Sequence, residues 1–180
     1  MRALAVSSSS KLKKNGVVLS VVPVRGQSER FISLAVELAK DYRRPCIVSL
    51  DMDPMSLTEK IKKAGGDPGK MLLVSIRKST TPTKLPKSQE CAETSRVMDL
   101  SMALFRLVDT KNPDAILLGP LTSLTSKNSK MDATKFIHYL ANDSRKSKRK
   151  LVLVCTKKCL KSSFLKDVRL FVDKVSEGKK

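Results

Sequence analysis

Gly16-Val-Val-Leu-Ser-Val-Val-Pro23, followed by Ser28-Glu-Arg-Phe-Ile-Ser-Leu-Ala-Val-Glu-Leu-Ala-Lys40, decides the fold class. The first run is β-branched and almost wholly apolar, the pattern of a strand buried on both faces. The second places Ile32, Val36 and Ala39 on one helical face, widened by Phe31, Leu34, Ala35 and Leu38. Ser28 is the expected N-cap of that helix. A fully buried strand leading into an amphipathic helix is the opening half of a β-α-β unit.

The same rhythm continues downstream. Pro45–Leu50 (PCIVSL) reads as a strand. Pro54 then opens a helix through Leu57, Ile61 and Ala64, stopped by Gly65 in the C-cap position. Met71–Ile76 (MLLVSI) is a third strand, and residues 77–89, acid-free with two prolines, an exposed loop. Helical spacing runs from Glu90 to Thr110, and Asn112-Pro113-Asp114 breaks it before a strand at Ala115–Leu118. Residues 119–130 read as a polar loop, Met131–Ser144 as a helix and Lys150–Cys155 as a fifth strand. Leu160–Leu165 is a short helical segment, and Val168–Val175 alternates like an exposed edge strand. No internal repeat is present. Strands alternating with crossover helices predict an α/β fold, a three-layer α/β/α sandwich with a mainly parallel sheet. Residues 16–176 are expected to form one domain, residues 1–15 a disordered basic tail and residues 177–180 a short second tail.

Composition agrees with a single domain. The chain has 180 residues, 41% of them hydrophobic, enough for one core and too many for disorder. No apolar run approaches the roughly 20 residues that span a bilayer, which argues against an integral membrane protein. Trp is absent and aromatics are only 4%, which argues against stacking platforms for bases. Of the four cysteines, Cys46 and Cys155 sit in apolar strand-like runs, and Cys91 and Cys159 complete the set. Cys155 and Cys159 have C-x₃-C spacing, but no second pair accompanies them and His138 is the one histidine. A closed zinc site needs four such ligands, so no metal is expected and a reducing cytoplasm is. The Ala3–Val6 apolar stretch is too short for a secretory signal; the acid-free, Ser-rich start shares features with an organelle transit peptide but reads better as a disordered tail.

Lys and Arg total 36 against 17 Asp and Glu, a formal charge of +19, unevenly spread. Residues 1–15 carry +4, residues 77–89 another +4 and residues 127–180 carry +11, while residues 90–126 sum to −2. The densest cluster is Arg145, Lys146, Lys148, Arg149 and Lys150, and Lys157, Lys158 and Lys161 follow the next strand. His138 lies beside Phe136 and Tyr139 on an amphipathic helix and reads as a packing or surface residue. No nucleophile–base–acid constellation is visible.

Taken in order, these elements resemble the core of the RecA/KaiC-like P-loop ATPases of archaea and bacteria, over residues 14–176. Val17–Ile32 resembles the Walker A strand, loop and helix. Cys46–Asp51 followed by Pro54 resembles the second strand, and Ala115–Leu124 the Walker B strand and its continuation. Leu151–Cys155, a short helix and Val168–Val175 resemble the closing strands.

The resemblance implies an ATPase, and the residues depart from it. A phosphate loop has the form G-x-x-x-x-G-K-[ST], whose backbone N–H groups, Lys and hydroxyl hold the phosphates and Mg²⁺. Aligned on strand and helix, Arg25, Gly26, Gln27, Ser28, Glu29 and Arg30 form a degenerate version, with Glu29 in the Lys position and Arg30 in the Ser/Thr position. The Walker B acid is replaced by Gly119. Asp114 precedes that strand, while Asp51 and Asp53 follow the second. No catalytic residue, no turnover and no obligatory cofactor are therefore expected, with ATP binding left open at the helix N-terminus near Arg25 and Arg30. The expected role is a non-catalytic binding or regulatory module. Its partner would be acidic, nucleic acid or protein, met by Lys127, Lys130, Lys157, Lys158 and Lys161 at the ligand-binding edge and by the Arg145–Lys150 cluster. A dedicated DNA- or RNA-binding protein and an unorthodox nucleotidase are the alternatives, and the resemblance allows a homo-oligomer.

Overall fold

The apolar runs do pair, and they pair in one direction. The computed structural model describes residues 16–79 and 81–178. The predicted tail at residues 1–15 lies outside them, as do the last two positions of the predicted tail at residues 177–180. Seven strands, β1 (Gly16–Val22), β2 (Pro45–Ser49), β3 (Leu72–Ile76), β4 (Gln89–Ala92), β5 (Ala115–Gly119), β6 (Lys150–Thr156) and β7 (Lys174–Glu177), form a single sheet in the order β4-β3-β2-β5-β6-β1-β7. Every pairing is parallel. Each strand's carboxyl end therefore lies at the same edge.

Two helices, α1 (Gln27–Asp41) and α2 (Pro54–Lys63), cover one face through Phe31, Ile32, Ala35, Leu57 and Ile61. The other face is covered by α3 (Val97–Lys111), α4 (Leu121–Lys127), α5 (Lys130–Lys146) and α6 (Ser163–Val168). β2, β5 and β6 are buried along their whole length, which explains why they are continuous apolar runs rather than alternating ones. The result is a three-layer α/β/α sandwich.

Four local expectations are corrected. Ser28 is not the cap of α1; Gly26 is, in the left-handed region at φ 75°, with no side-chain cap. Glu90–Ala92 belongs to an edge strand, not a helix: it is register partner to Val74–Ile76, and α3 begins only at Val97. Residues 119–130 are not a loop, because Leu121 and Leu124 are fully buried on one turn of α4. Asn128 joins α4 to α3, its Oδ1 accepting from Val97 N at 2.8 Å and its Nδ2 donating to the Ser95 and Leu124 carbonyls. Finally, Val168–Val175 is not one strand. Hydrogen-bonded turns carry the chain through Leu170 and Phe171, and β7 starts at Lys174 and runs to Glu177. Among the described residues no helix is long and apolar enough to cross a membrane.

Candidate functional site

In an open parallel sheet, ligands bind beyond the carboxyl ends of strands where successive connections part to opposite faces. One such parting lies between β1 and β6 and another between β2 and β5; the first is flanked by the candidate residues. Val22 and Thr156 are register partners, so Pro23–Arg25 and Lys157–Lys158 leave the sheet side by side. The first segment turns into α1 on one face, the second through a 3₁₀ turn (Lys157–Lys161) into α6 on the other.

The site's geometry starts at Gly26. Its carbonyl accepts from Arg30 N at 3.0 Å, so Gln27 and Ser28 are the first helical residues. A phosphate loop runs from strand directly into helix, its last glycine preceding Lys and Ser/Thr. With Gly26 at the cap, Gln27 and Ser28 are the two residues that follow the loop glycine, and Glu29 and Arg30 come next along α1. Only Pro23, Val24 and Arg25 separate β1 from Gly26, so the first motif glycine would fall at Val21, inside the strand. The cradle is short. Ser28 Oγ accepts a hydrogen bond from Lys60 Nζ of α2 at 2.6 Å, a cation that reading the sequence did not connect with the loop. A Glu29 carboxylate oxygen lies 3.8 Å from where a Cβ on Gly26 would be, placing negative charge over the helix mouth. Arg30 points away along α1 to Glu37 at 3.5 Å.

The end of β5, where the sequence reading expects the degenerate Walker B residue Gly119, is tightly packed. A Cβ on Gly119 would lie 2.7 Å from Val154 Cβ and 3.1 Å from the Val154 carbonyl oxygen, so β5 and β6 leave no room for an acidic side chain there. Of the nearby acids, Asp53 caps α2, accepting from Ser56 N at 3.0 Å and Ser56 Oγ at 2.8 Å. The Ser56 backbone N–H holds the Asp53 carboxyl below the usual carboxylate range, against the opposing effect of its burial. Lys78 Nζ stands 3.8 Å away. Asp51 is exposed and accepts from Ser49 Oγ at 3.2 Å. Asp114 lies at the far end of β5, accepting from the backbone N–H groups of Arg43 and Arg44.

The fold is similar to that of a solved KaiC-like protein. The chain matches the crystal structure of a KaiC-like protein from the hyperthermophilic archaeon Pyrococcus horikoshii OT3 with a TM-score of 0.65, over 93% of this chain and 74% of that one, at 14% sequence identity. No family model and no curated protein matches the sequence. At that identity the likeness concerns the fold.

The basic residues fall into separate places. Lys157, Lys158 and Lys161 lie on the 3₁₀ turn beside the phosphate-loop position, all three exposed. Lys130 pairs with Asp167 at 2.9 Å, linking α5 to α6. Lys127 instead lines a cleft of about 760 Å³ between α3 and α5, with Met98, Phe105 and Tyr139. The Arg145–Lys150 cluster, at the opposite end of β6, is largely taken up by the fold. Arg145 pairs with Asp173 at 3.2 Å and donates to the Phe171 carbonyl. Arg149 is buried, its guanidinium 2.6 Å from Asp143 and 3.2 Å from Asn112 Oδ1. Burial pushes the Lys150 ammonium down from its ordinary range, against the charge of Asp173. Lys146 and Lys148 are exposed, Lys148 in a left-handed turn at φ 54°.

His138 is exposed, its ring 4.6 Å from that of Phe171 and its Nε2 3.1 Å from Asn142 Nδ2. All four thiols are free, and burial pushes those of Cys46 and Cys155 up to about 12. Cys159 Sγ lies 3.1 Å from Thr156 Oγ1. Among the described residues no group of three His, Cys, Asp or Glu gathers to hold a metal.

Proposed function

We propose that this chain is a KaiC-like domain that binds an acidic partner, nucleic acid first, and does not hydrolyse nucleotide. The observation that carries the reading is Gly119: the place of the Mg²⁺-holding acid is occupied by the close approach of β5 to β6. Phosphoryl transfer relies on a metal ion and a positioned lysine to neutralise the transition state. Here Gln27 takes the place of the lysine, Ser28 is engaged by Lys60, and the Glu29 carboxylate repels a triphosphate. What the edge offers instead is Lys157, Lys158 and Lys161 beside Arg25, none of them in an ion pair among the described residues.

The test is fluorescence anisotropy with labelled single-stranded DNA across a salt series. Affinity should fall steeply with salt, and Lys157→Glu/Lys158→Glu/Lys161→Glu should flatten the logarithmic slope by about 0.7 for each phosphate no longer neutralised. Absence of binding at low salt, or Mg²⁺-dependent phosphate release from ATP above the buffer rate, defeats the proposal.

A further inference from the structure

At the opposite edge of the sheet, five cations from four separate segments meet in one cleft of about 660 Å³. Arg43 and Arg44 come from the turn before β2, and Lys70 from the 3₁₀ turn (Pro68–Lys70) before β3. Lys87 precedes β4 and Lys111 ends α3. No acidic side chain lines the cleft, and none of the five forms an ion pair among the described residues. The carboxylate of Asp114 is held by the backbone N–H groups of Arg43 and Arg44 rather than by their guanidinium groups.

We infer that this cleft binds a cluster of phosphate groups, carried by a soluble oligophosphate or by a nucleic acid backbone. Like charges without an ion-pair partner, gathered in a concave site, focus a positive potential that a multiply charged anion relieves. A monoanion would neutralise one charge of five. Arginine supplies forked donors matched to phosphate oxygens, and lysine supplies mobile point charges. Arg44 is fixed across the cleft by its hydrogen bond to the Lys111 carbonyl. Ser88 and Thr110 add hydroxyls to the wall.

The lining also says what is not recognised. No aromatic ring faces the cleft, so bases are not stacked there. Its apolar residues, Met71 and Leu72, are buried in the floor, which leaves no anchor for the side chains of an acidic peptide. Cations also complement the negative ends of helices. That accounts for Arg43 and Arg44 beyond α1 and for Lys111 at the end of α3, but not for Lys70 or Lys87. The cleft lies at the amino-terminal ends of the strands, so the inference stands whether or not the carboxyl-end lysines bind nucleic acid.

The experiment titrates the full chain with tripolyphosphate, a labelled oligothymidylate and hexaglutamate, each followed by amide chemical shifts. Two variants remove equal charge: Lys70→Glu/Lys87→Glu in the cleft and Lys157→Glu/Lys158→Glu at the opposite edge. The expected result is saturable phosphate binding with shifts at Gly69, Ser88 and Thr110. The cleft variant should weaken it about tenfold, the other variant far less. Tripolyphosphate alone saturating the cleft assigns a soluble oligophosphate, and the oligonucleotide alone assigns a nucleic acid backbone. Equal losses in both variants, binding of hexaglutamate as tight as of tripolyphosphate, or no binding overturns the inference. Binding of tripolyphosphate and oligonucleotide alike lost only in Lys157→Glu/Lys158→Glu would overturn it while sparing the function proposed above.

Discussion

Arg149→Met separates a structural cation from a partner contact. Arg149 is the most buried arginine of the Arg145–Lys150 run, its side chain 8% exposed and its guanidinium 2.6 Å from Asp143 Oδ2. Removing one member of a buried ion pair ordinarily costs about 3–5 kcal/mol, because the other is left as an unpaired buried charge. Two features lower that figure here. The Asp143 side chain is 30% exposed, so water can solvate it. Arg149 Nε is already buried without a partner among the described residues, a burden that methionine removes while keeping the apolar stem. The expected loss is about 2 kcal/mol, or about 4–8 °C in Tm for a chain of this length. Lys146→Met removes the same charge from the same run at an exposed position and should stay within about 0.5 kcal/mol. Urea and thermal unfolding of both, with Asp143→Asn to close a double-mutant cycle, measure the coupling. Unchanged stability in Arg149→Met, with oligonucleotide affinity falling well below that of Lys146→Met, would refute the reasoning and make Arg149 a contact residue.

Asp53→Ala should cost about 1 kcal/mol by uncapping α2, read by urea unfolding. Because the folded Asp53 carboxyl is held below its unfolded value of 3.8, its contribution is complete above that value and is lost as pH falls through the lower folded one. The wild-type stability curve should therefore drop more steeply than that of Asp53→Ala below about pH 4. Iodoacetamide at pH 8 should label Cys159 in the native chain, Cys91 more slowly because burial raises its thiol pKa, and leave Cys46 and Cys155 unmodified until unfolding, as mass spectrometry would show.

The strands buried on both faces were plain in the sequence because burial on both faces writes a continuous apolar run, as in GVVLSVV, PCIVS and KLVLVCT. β4 was hidden because Gln89 and Glu90 sit on a half-buried sheet edge, where polar residues are tolerated and no alternation marks the strand. α4 was hidden because a helix of two turns needs only Leu121 and Leu124 to dock. The site was less legible still. Gly26 stands out in the sequence as the surviving loop glycine, yet the register of Gln27 and Ser28 depends on a left-handed cap that no residue pattern specifies. A run such as Arg145–Lys150 looks like a charged surface in one dimension and proves half consumed in three. The converse holds for Arg43, Lys70, Lys87 and Lys111, each unremarkable in its own segment and gathered only by the parallel sheet.

Most of the chemistry that the resemblance implies would sit outside the core, where it can vary without touching the fold. Arg25, Asp51 and Lys157 lie exposed beyond the strand ends, so residues there can change without disturbing Leu19, Ile47 or Leu117 in the sheet. Gly119 is different, being inside the sheet. The two positions therefore predict opposite responses to installing the residues of a phosphate-loop ATPase. Gln27→Lys, at a half-buried helix start, should leave stability within about 0.5 kcal/mol. Gly119→Asp must push its Cβ into Val154 and bury a carboxylate between β5 and β6, an overpacking expected to cost about 1–3 kcal/mol before the charge is counted. Gly119→Ala isolates the steric part and should cost most of that amount. A chain that had merely lost its acid by substitution would accept the acid back. If Gly119→Asp unfolds with wild-type stability and the Gln27→Lys/Gly119→Asp double variant gains Mg²⁺-dependent ATP hydrolysis, the close approach of β5 to β6 is no barrier, and the observation chosen to carry the proposed function fails.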